Sequence, residues 1–177
     1  INKIAFTGST QVGKLIQKSL AGRDVGLTLE LGGKAANIVY EDAAIDQAVE
    51  GVVNGIFFNQ GHVCCAGSRL LLQESIHDEF VAKLEKRMQT LRVGNPLDKN
   101  TDIGAINSKE QLNKIEGLVN EVVSDGGKIF QTECELPGNG FWFKPTLFTD
   151  VQPSYSIARE EIFGPVLTTL TFRTPLE

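Results

Sequence analysis

Two adjacent cysteines and a histidine lie in a short glycine-bearing stretch, residues 58–69 (FNQGHVCCAGSR), whose residue types could carry nucleophilic chemistry. A helical pattern leads into this stretch, and a β-rich run leads out of it. A cysteine nucleophile needs a turn that exposes its sulfur, and helix dipoles or hydrogen-bond donors favour its thiolate. A small cysteine packed in a turn fits the same pattern, because free cysteine is often buried. By itself, the stretch leaves both interpretations open.

One carboxylate, Glu30, stands at the end of a predicted strand. Residues 27–31 (LTLEL) have the composition of a strand, and Gly32 and Gly33 end it. Ligands of an open α/β sheet bind at the strand ends, so Glu30 falls where a ligand would bind. Without a visible partner, the residue pattern alone favours a solvated carboxylate at this position.

The segment 8–14 (GSTQVGK) is a glycine turn between a short apolar run, residues 4–6, and a predicted helix. Ser9 is the predicted N-cap, because apolar residues recur with helical spacing over residues 12–20. Strand, turn and helix in this order form a nucleotide-binding α/β unit, whose helix N-terminus can bind an anion. The segment also matches most of a P-loop, but Leu15 stands where the magnesium-binding hydroxyl would be, which excludes that motif. A phosphate site and glycines that serve only the turn and close packing fit the sequence equally well.

Two neighbouring carboxylates, Glu160 and Glu161, precede a predicted hinge between a helix and a strand. Pro165 biases Gly164 away from helical conformation, and a strand pattern follows at residues 167–172. Carboxylates at such a hinge are usually solvated, so the residues alone give them no chemistry.

Helices alternate with strands along the rest of the chain. Asp42 is the predicted cap of a helix with an apolar stripe over residues 45–56, and capping boxes are predicted to begin at Ser75 and Ser108. Alternation of this kind predicts an α/β fold with a largely parallel sheet and flanking helices.

Length and composition restrict the class of protein. The chain has 177 residues, of which 41% are hydrophobic and 22% charged, enough apolar sequence for a soluble, globular domain with its own core. A net charge of -5 without a basic run argues against nucleic-acid binding, and no apolar run is long enough to span a membrane. The three cysteines form no disulfide framework, which favours a reducing, cytoplasmic location. Cys134 has no ligand-spaced partner, and no metal site is predicted.

Four motifs, taken together, resemble the NAD(P)-dependent aldehyde dehydrogenase family. They are FTGSTQVG at residues 6–13, LELGGK at 29–34, the cysteine stretch at 58–69, and EIFGP at 161–165. They occur in the family's order and approximate spacing, and the likeness covers essentially the whole chain. The resemblance implies an aldehyde dehydrogenase-like α/β fold. Residues 1–31 would be the end of a Rossmann-like cofactor domain, and residues 32–177 a catalytic domain truncated at its C-terminus.

The resemblance also implies a role for each matching residue. Cys64 corresponds to the catalytic cysteine, with Cys65 as its common neighbour, and Glu30 corresponds to the general base. The expected cofactor-binding residues are Gly8 and Ser9 near the pyrophosphate, Gly13 in the helix that follows, Glu161 at the nicotinamide ribose and Phe163 beside the nicotinamide. His62 departs from the glutamine that many members carry, and it is expected near the substrate path together with Val63.

The implied activity is oxidation of an aldehyde to a carboxylic acid with hydride transfer to NAD or NADP. Cys64 would form a thiohemiacetal and then a thioester, and Glu30 would activate the water that hydrolyses the thioester. This activity is expected of a longer parent, a homo-dimer or homo-tetramer, and the 177-residue chain alone is predicted to be inactive. Neither the aldehyde nor the choice between NAD and NADP follows from the sequence.

Two other functions stay open at this point. In a cysteine-dependent thiol hydrolase or esterase, His62 would activate Cys64 without a nicotinamide, although a separation of two residues on a turn suits such a pair poorly. A non-catalytic structural relative would keep the fold without the reaction, and the presence of both Cys64 and Glu30 argues against it.

Overall fold

The computed structural model describes residues 1–177, and the chain divides into two compact units, Ile1–Gly33 and Lys34–Glu177. The assignment of the first residues to a cofactor domain and of the rest to a catalytic domain stays a prediction. None of the helices combines the length and the apolar character needed to cross a lipid bilayer.

The first unit is a strand, a helix and a strand: β1 (Lys3–Gly8), α1 (Thr10–Leu20) and β2 (Gly26–Leu31). The two strands pair in parallel, in a register that places Gly8 opposite Leu31. The helix begins where the sequence predicts, because Ser9 Oγ accepts a hydrogen bond from the backbone N–H of Val12 at 3.3 Å. The predicted glycine turn between a strand and a capped helix is confirmed.

The second unit is a five-stranded sheet with flanking helices. Its elements are β3 (Ala36–Val39), α2 (Ile45–Phe57), β4 (Arg69–Gln73), α3 (His77–Met88), α4 (Lys109–Ser124), β5 (Lys128–Gln131), β6 (Thr146–Thr149), α5 (Ser156–Arg159) and β7 (Val166–Phe172), with 3₁₀ turns at Phe58–Gly61 and Glu74–Ile76. The strand order is β3–β4–β7–β6–β5, and every neighbouring pair is parallel except β5–β6. The predicted α/β class, with a largely parallel sheet and flanking helices, is confirmed.

Two apolar clusters form the core of this second unit. One packs α2 and α3 against the sheet through buried side chains such as Ile56, Leu70 and Phe80. The other packs α4 and α5 through side chains such as Ile115 and Phe148. Each fully buried side chain of this kind contributes about 1.5–3 kcal/mol. Because α2 and β4 both belong to the first cluster, the residues that connect them are held at both ends.

The predicted cap of α2 is wrong. That helix begins at Ile45 with Ala44 at the N-cap, and no side chain makes a capping bond there. The Ala43 N–H donates to the Tyr40 carbonyl at 3.1 Å, so the chain closes a turn before it enters the helix. Asp42 lies inside that turn, too early to reach the free N–H groups of α2.

The two predicted capping boxes have different outcomes. A 3₁₀ turn precedes α3, and Ser75 Oγ donates to Glu41 Oε2 at 2.9 Å, so this box is wrong because another acceptor takes the hydroxyl. Ser108 does cap α4, since it accepts from the Gln111 N–H at 3.1 Å. The side chain of Gln111 does not return to Ser108, however, and bonds to a distant segment instead. Only one of the two hydrogen bonds of this capping box therefore forms.

Candidate active site

The loop that carries the two neighbouring cysteines, residues 58–68 and hereafter the cysteine loop, contains three consecutive residues with positive φ angles. The φ angles are 49° at Asn59, 49° at Gln60 and 75° at Gly61. For the two residues with side chains, this conformation costs roughly 1–3 kcal/mol each. Asn59 holds the turn closed, because its carbonyl accepts from the His62 N–H at 2.9 Å and its Nδ2 donates to the His62 carbonyl at 3.2 Å.

Both thiols of the cysteine loop face solvent. Cys64 and Cys65 are exposed free cysteines, and the backbone N–H of Cys64 makes no hydrogen bond within the chain. The exit of the loop is anchored by Gly67, which donates to the Gly55 carbonyl of α2 at 3.3 Å and accepts from Asn37 Nδ2 of β3 at 3.0 Å. The loop therefore presents the thiols outward from a fixed backbone, which is the turn that a nucleophilic cysteine needs.

The segment between α5 and β7, residues 160–165 and hereafter the hinge segment, is held by two side chains of α4. Lys114 Nζ donates to the Glu161 carbonyl at 2.8 Å. Gln111 Nε2 donates to the carbonyls of Ile162 at 2.8 Å and Phe163 at 3.0 Å. These bonds fix a strained backbone, since Phe163 has a φ angle of 57° without being glycine.

The cysteine loop and the hinge segment are in direct contact. A Cβ at Gly61 would overlap the carbonyl oxygen of Gly164, so the two backbones touch there. One residue after Gly61 and one residue before Gly164, the rings of His62 and Phe163 stack with centroids 5.1 Å apart and planes at 10°. The cysteine loop, which carries Cys64, therefore lies directly beside the hinge segment. The two segments are predicted to belong to one site.

His62 does not pair with Cys64. Its Nδ1 lies 3.4 Å from Gln60 Nε2, and its Nε2 is buried without a partner. Since an amide N–H can only donate, Nδ1 is the acceptor and the proton lies on Nε2. Burial lowers the pKa of His62 below its usual value. The imidazole makes no hydrogen bond to the thiol, so the structure does not contain the Cys–His pair that a thiol hydrolase would need.

A half-buried lysine whose amine is shielded from solvent lies beside the hinge segment. Lys34 Nζ has no hydrogen-bond partner. Burial, with the Arg69 guanidinium as a second cause, lowers the pKa of Lys34 to about 7, and the Glu161 carboxylate opposes this shift. The backbone carbonyl of Lys34 also accepts from Arg69 Nη2 at 3.4 Å. Lys34, Arg69 and Glu161 therefore form one electrostatic cluster in the second unit.

The other predicted site residues lie in the first unit. Glu30 is exposed at the end of β2, opposite Thr7 in the register. Ser9 opens α1, whose first turn contains no acidic residue. A Cβ at Gly8 would lie 2.5 Å from the Phe6 ring, and one at Gly13 would lie 2.6 Å from a Leu31 methyl. Close packing therefore favours glycine at both positions, whether or not these residues bind a cofactor.

The sequence does not indicate which side chains from distant parts of the chain bind the hinge segment. Gln111 and Lys114 lie 52 and 47 residues before the carbonyls they bind. The local pattern indicates only a capping role for Gln111. Lys34 lies within the LELGGK motif, but nothing in its neighbours along the chain indicates that its amine is buried.

The chain matches one known protein family over its whole length. The model of the aldehyde dehydrogenase family matches residues 1–177. Retinal dehydrogenase 2 from Taeniopygia guttata is 49% identical over 179 residues, which cover 98% of this chain and 34% of that protein. The chain thus spans about one third of the length of the curated relatives that it matches.

Solved structures show the same similarity. An NAD-dependent aldehyde dehydrogenase from Sinorhizobium meliloti has a TM-score of 0.94 at 40% identity, covering 98% of this chain and 35% of that one. A betaine aldehyde dehydrogenase from Staphylococcus aureus, solved in complex with NAD+, has a TM-score of 0.92 at 38% identity, covering 98% and 35%. The four sequence motifs, the fold and the family model agree, and the chain belongs to the aldehyde dehydrogenase family.

Proposed function

We propose that the whole protein, of which this chain would be a part, oxidises an aldehyde to a carboxylic acid and transfers the hydride to NAD or NADP. Membership of the family supports the reaction class. The NAD+ complex of the Staphylococcus aureus relative and the name of the Sinorhizobium meliloti relative support NAD in particular.

The observation that carries this proposal is the backbone contact between the cysteine loop and the hinge segment. Gly61 touches the Gly164 carbonyl, and the exposed Cys64 follows three residues later. Glu161 and Phe163, the candidate cofactor contacts, lie on the other side of that contact. Thiol attack followed by hydride transfer requires the nucleophile and the cofactor to be held together, and the contact between the two segments supports such an arrangement.

Cys64 would act as the nucleophile. Its thiolate attacks the aldehyde carbon, a carbon–sulfur bond forms, and the carbonyl electron pair moves onto the oxygen. The free backbone N–H of Cys64 would donate to that oxyanion. A free thiol is only a few per cent thiolate at neutral pH, so the site has to stabilise the thiolate or supply a base.

Each unit contains residues that would suit a dinucleotide. The N-terminus of α1, capped by Ser9 after Gly8 and without acidic residues in its first turn, offers the positive end of a helix dipole to a pyrophosphate. Gly13 lets that helix pack closely on β2. Glu161, half-buried in the hinge segment, would accept hydrogen bonds from ribose hydroxyls, and the Phe163 ring would lie against the nicotinamide. When bound, the nicotinamide supplies the hydride acceptor.

Glu30 would complete the cycle as general base. It is exposed at the end of β2, and its carboxylate makes no hydrogen bond within the first unit, so it is free to accept a proton from water. Once the hydride has left the thiohemiacetal carbon, a thioester would remain on Cys64. The hydroxide would add to its carbon, and collapse of this adduct would release the acid and return the Cys64 thiolate. A general base of this kind contributes about 10²–10⁴-fold to the rate.

We further propose that the whole protein acts in the cytoplasm as a homo-dimer or homo-tetramer. The three cysteines are free, which is typical of proteins in a reducing compartment. The oligomeric state follows only from the resemblance to the family.

The test is the production of reduced nicotinamide by the purified whole protein with NAD or NADP across aliphatic and aromatic aldehydes. We expect aldehyde-dependent reduction that is lost in Cys64→Ala. Failure with every aldehyde and both cofactors would reject the proposal. Ester hydrolysis without any reduction of nicotinamide would instead favour the thiol hydrolase.

A further inference from the structure

The proposed reaction gives no role to His62, although its ring has defined contacts on one face and at one edge. The imidazole stacks on Phe163 with ring centroids 5.1 Å apart and planes at 10°. Its Nδ1 accepts from the Gln60 amide at 3.4 Å, and its Nε2 is buried. The ring is therefore held on one face by the stack and at one edge by a hydrogen bond.

The backbone of Phe163, the partner of this stack, is held by a hydrogen bond from α4. The Phe163 carbonyl accepts from Gln111 Nε2, and its φ angle of 57° belongs to a backbone held away from the usual regions. Backbone constraints act on the Cα position, whereas the direction of the ring also depends on the groups that pack against it. His62 is the aromatic side chain that stacks on it.

We propose that His62 is a positioning residue, whose imidazole stacks on Phe163 and fixes that ring relative to Cys64 for contact with the nicotinamide. This inference rests on the proposed function, because it requires a nicotinamide beside Phe163. His62 and Cys64 are two residues apart on one loop, so the stack joins the nucleophile to the cofactor contact. The imidazole acts here as a flat ring and not as a base.

Loss of the stack should affect both cofactor binding and turnover. An aromatic pair contributes enough to change a binding constant by about 2- to 12-fold. A nicotinamide held against a misdirected Phe163 would also lie at the wrong place relative to the thiol, which lowers kcat. His62→Leu should therefore raise the KM for NAD and lower kcat.

The kinetic test compares three variants of the whole protein. His62→Leu removes the flat ring, His62→Phe keeps a flat ring without nitrogen atoms, and His77→Leu is the control for losing the other histidine of the chain. We expect His62→Phe to retain the KM for NAD and the kcat of the wild type, and His77→Leu to retain both as well. Equal losses in His62→Phe and His62→Leu would overturn the inference, because the nitrogen atoms would then matter and not the stack.

A second measurement detects the stack without cofactor or activity. The chain contains only two histidines, His62 and His77, so their ring-proton NMR signals are readily assigned by substitution. We expect Phe163→Leu in the 177-residue chain to shift the His62 signals by removal of the ring current, and to leave the His77 signals in place. Unshifted His62 signals would show that the rings do not stack, and would overturn the inference.

The two measurements separate the possible failures. If the wild-type whole protein reduces NAD with an aldehyde and His62→Leu matches it in KM and kcat, the positioning role is rejected and the proposed function stands. If the wild type reduces no NAD while the NMR signals show the stack, the proposed function is rejected, and the positioning role falls with it. Circular dichroism of His62→Leu establishes that the variant is folded.

Discussion

Gly61 lies against the carbonyl oxygen of Gly164, so closely that a Cβ at position 61 would overlap it. Gly61 also has a φ angle of 75°, which side chains rarely tolerate. Both conditions make glycine necessary at this one position. The cysteine loop and the hinge segment thus touch backbone to backbone at Gly61, next to the stacked rings of His62 and Phe163.

Gly61→Ala should therefore destabilise the chain by about 1–3 kcal/mol and separate the two segments. The control is Gly51→Ala, because Gly51 lies on an exposed part of α2 with no atom within 4 Å of an added Cβ. That control should stabilise the chain by about 0.5–1 kcal/mol, since alanine favours a helix over glycine. Thermal unfolding of both variants checks the prediction, and an unfolding temperature for Gly61→Ala at or above that of the wild type would contradict it.

Cys64, and not Cys65, is predicted to be the nucleophile. Both thiols are exposed, so exposure does not distinguish them. The two cysteines are distinguished by their positions in the motif of residues 58–69, where Cys64 corresponds to the catalytic cysteine of the family. Cys64→Ala in the whole protein should abolish aldehyde oxidation, while Cys65→Ala should keep most of it. Steady-state rates of nicotinamide reduction measure both, and the reverse pattern would assign the attack to Cys65.

The sequence predicts the local features of the site and misses the distant ones. Ser9 and Ser108 cap their helices as predicted, because a cap depends on residues within one turn. Asp42 and Ser75 fail as caps because a neighbouring turn or a competing acceptor intervenes. Propensity rules do not include such competition, so these two predictions were wrong.

Contacts between segments that are far apart in the sequence cannot be predicted from local residue patterns. Gln111 looks like the third position of a capping box, yet its side chain binds carbonyls more than 50 residues away. His62 is visible in the sequence only as a departure from a motif, and the residues alone left a base and a packing role open. Its stack on Phe163 appears only when the sheet brings the cysteine loop to the hinge segment.

Glu30→Gln is predicted to slow the release of the acid more than the oxidation step. An amide cannot take a proton from water, so a thioester on Cys64 should accumulate. The whole protein should then show a burst of reduced nicotinamide followed by a slow steady state. Glu116→Gln, at an exposed position of α4, is the matched control and should show no burst. Normal turnover of Glu30→Gln in rapid-mixing experiments would leave Glu30 as a solvated carboxylate.

Lys34 should make the stability of the chain depend on pH. Burial lowers the pKa of Lys34 from 10.5 to about 7 in the folded chain. Below pH 7 the amine is charged in both the folded and unfolded states, so its desolvation fully opposes folding. Between these two values the unfolded chain binds more protons, and the free energy of unfolding rises with pH.

Lys34→Met should therefore be more stable than the wild type below pH 7, and its advantage should shrink as the pH rises toward 10.5. Lys86→Met, at an exposed position of α3, is the matched control. Urea unfolding across this pH range measures the difference. If Lys34→Met and Lys86→Met give the same pH dependence, the Lys34 amine is solvated and the cluster with Arg69 and Glu161 has no energetic consequence.

The 177-residue chain by itself is predicted to have no dehydrogenase activity. Its first unit offers a two-stranded sheet and one helix, and a pair of strands is at best marginally stable without further strands. Leu15 of that helix is 61% exposed, so the unit buries little of its own apolar surface. Glu30 and the N-terminus of α1 should then be poorly anchored for a cofactor. Calorimetric titration with NAD, with an absorbance assay on several aldehydes, tests this against the whole protein as the positive control. Tight cofactor binding with measurable turnover would show that the chain contains a complete cofactor site.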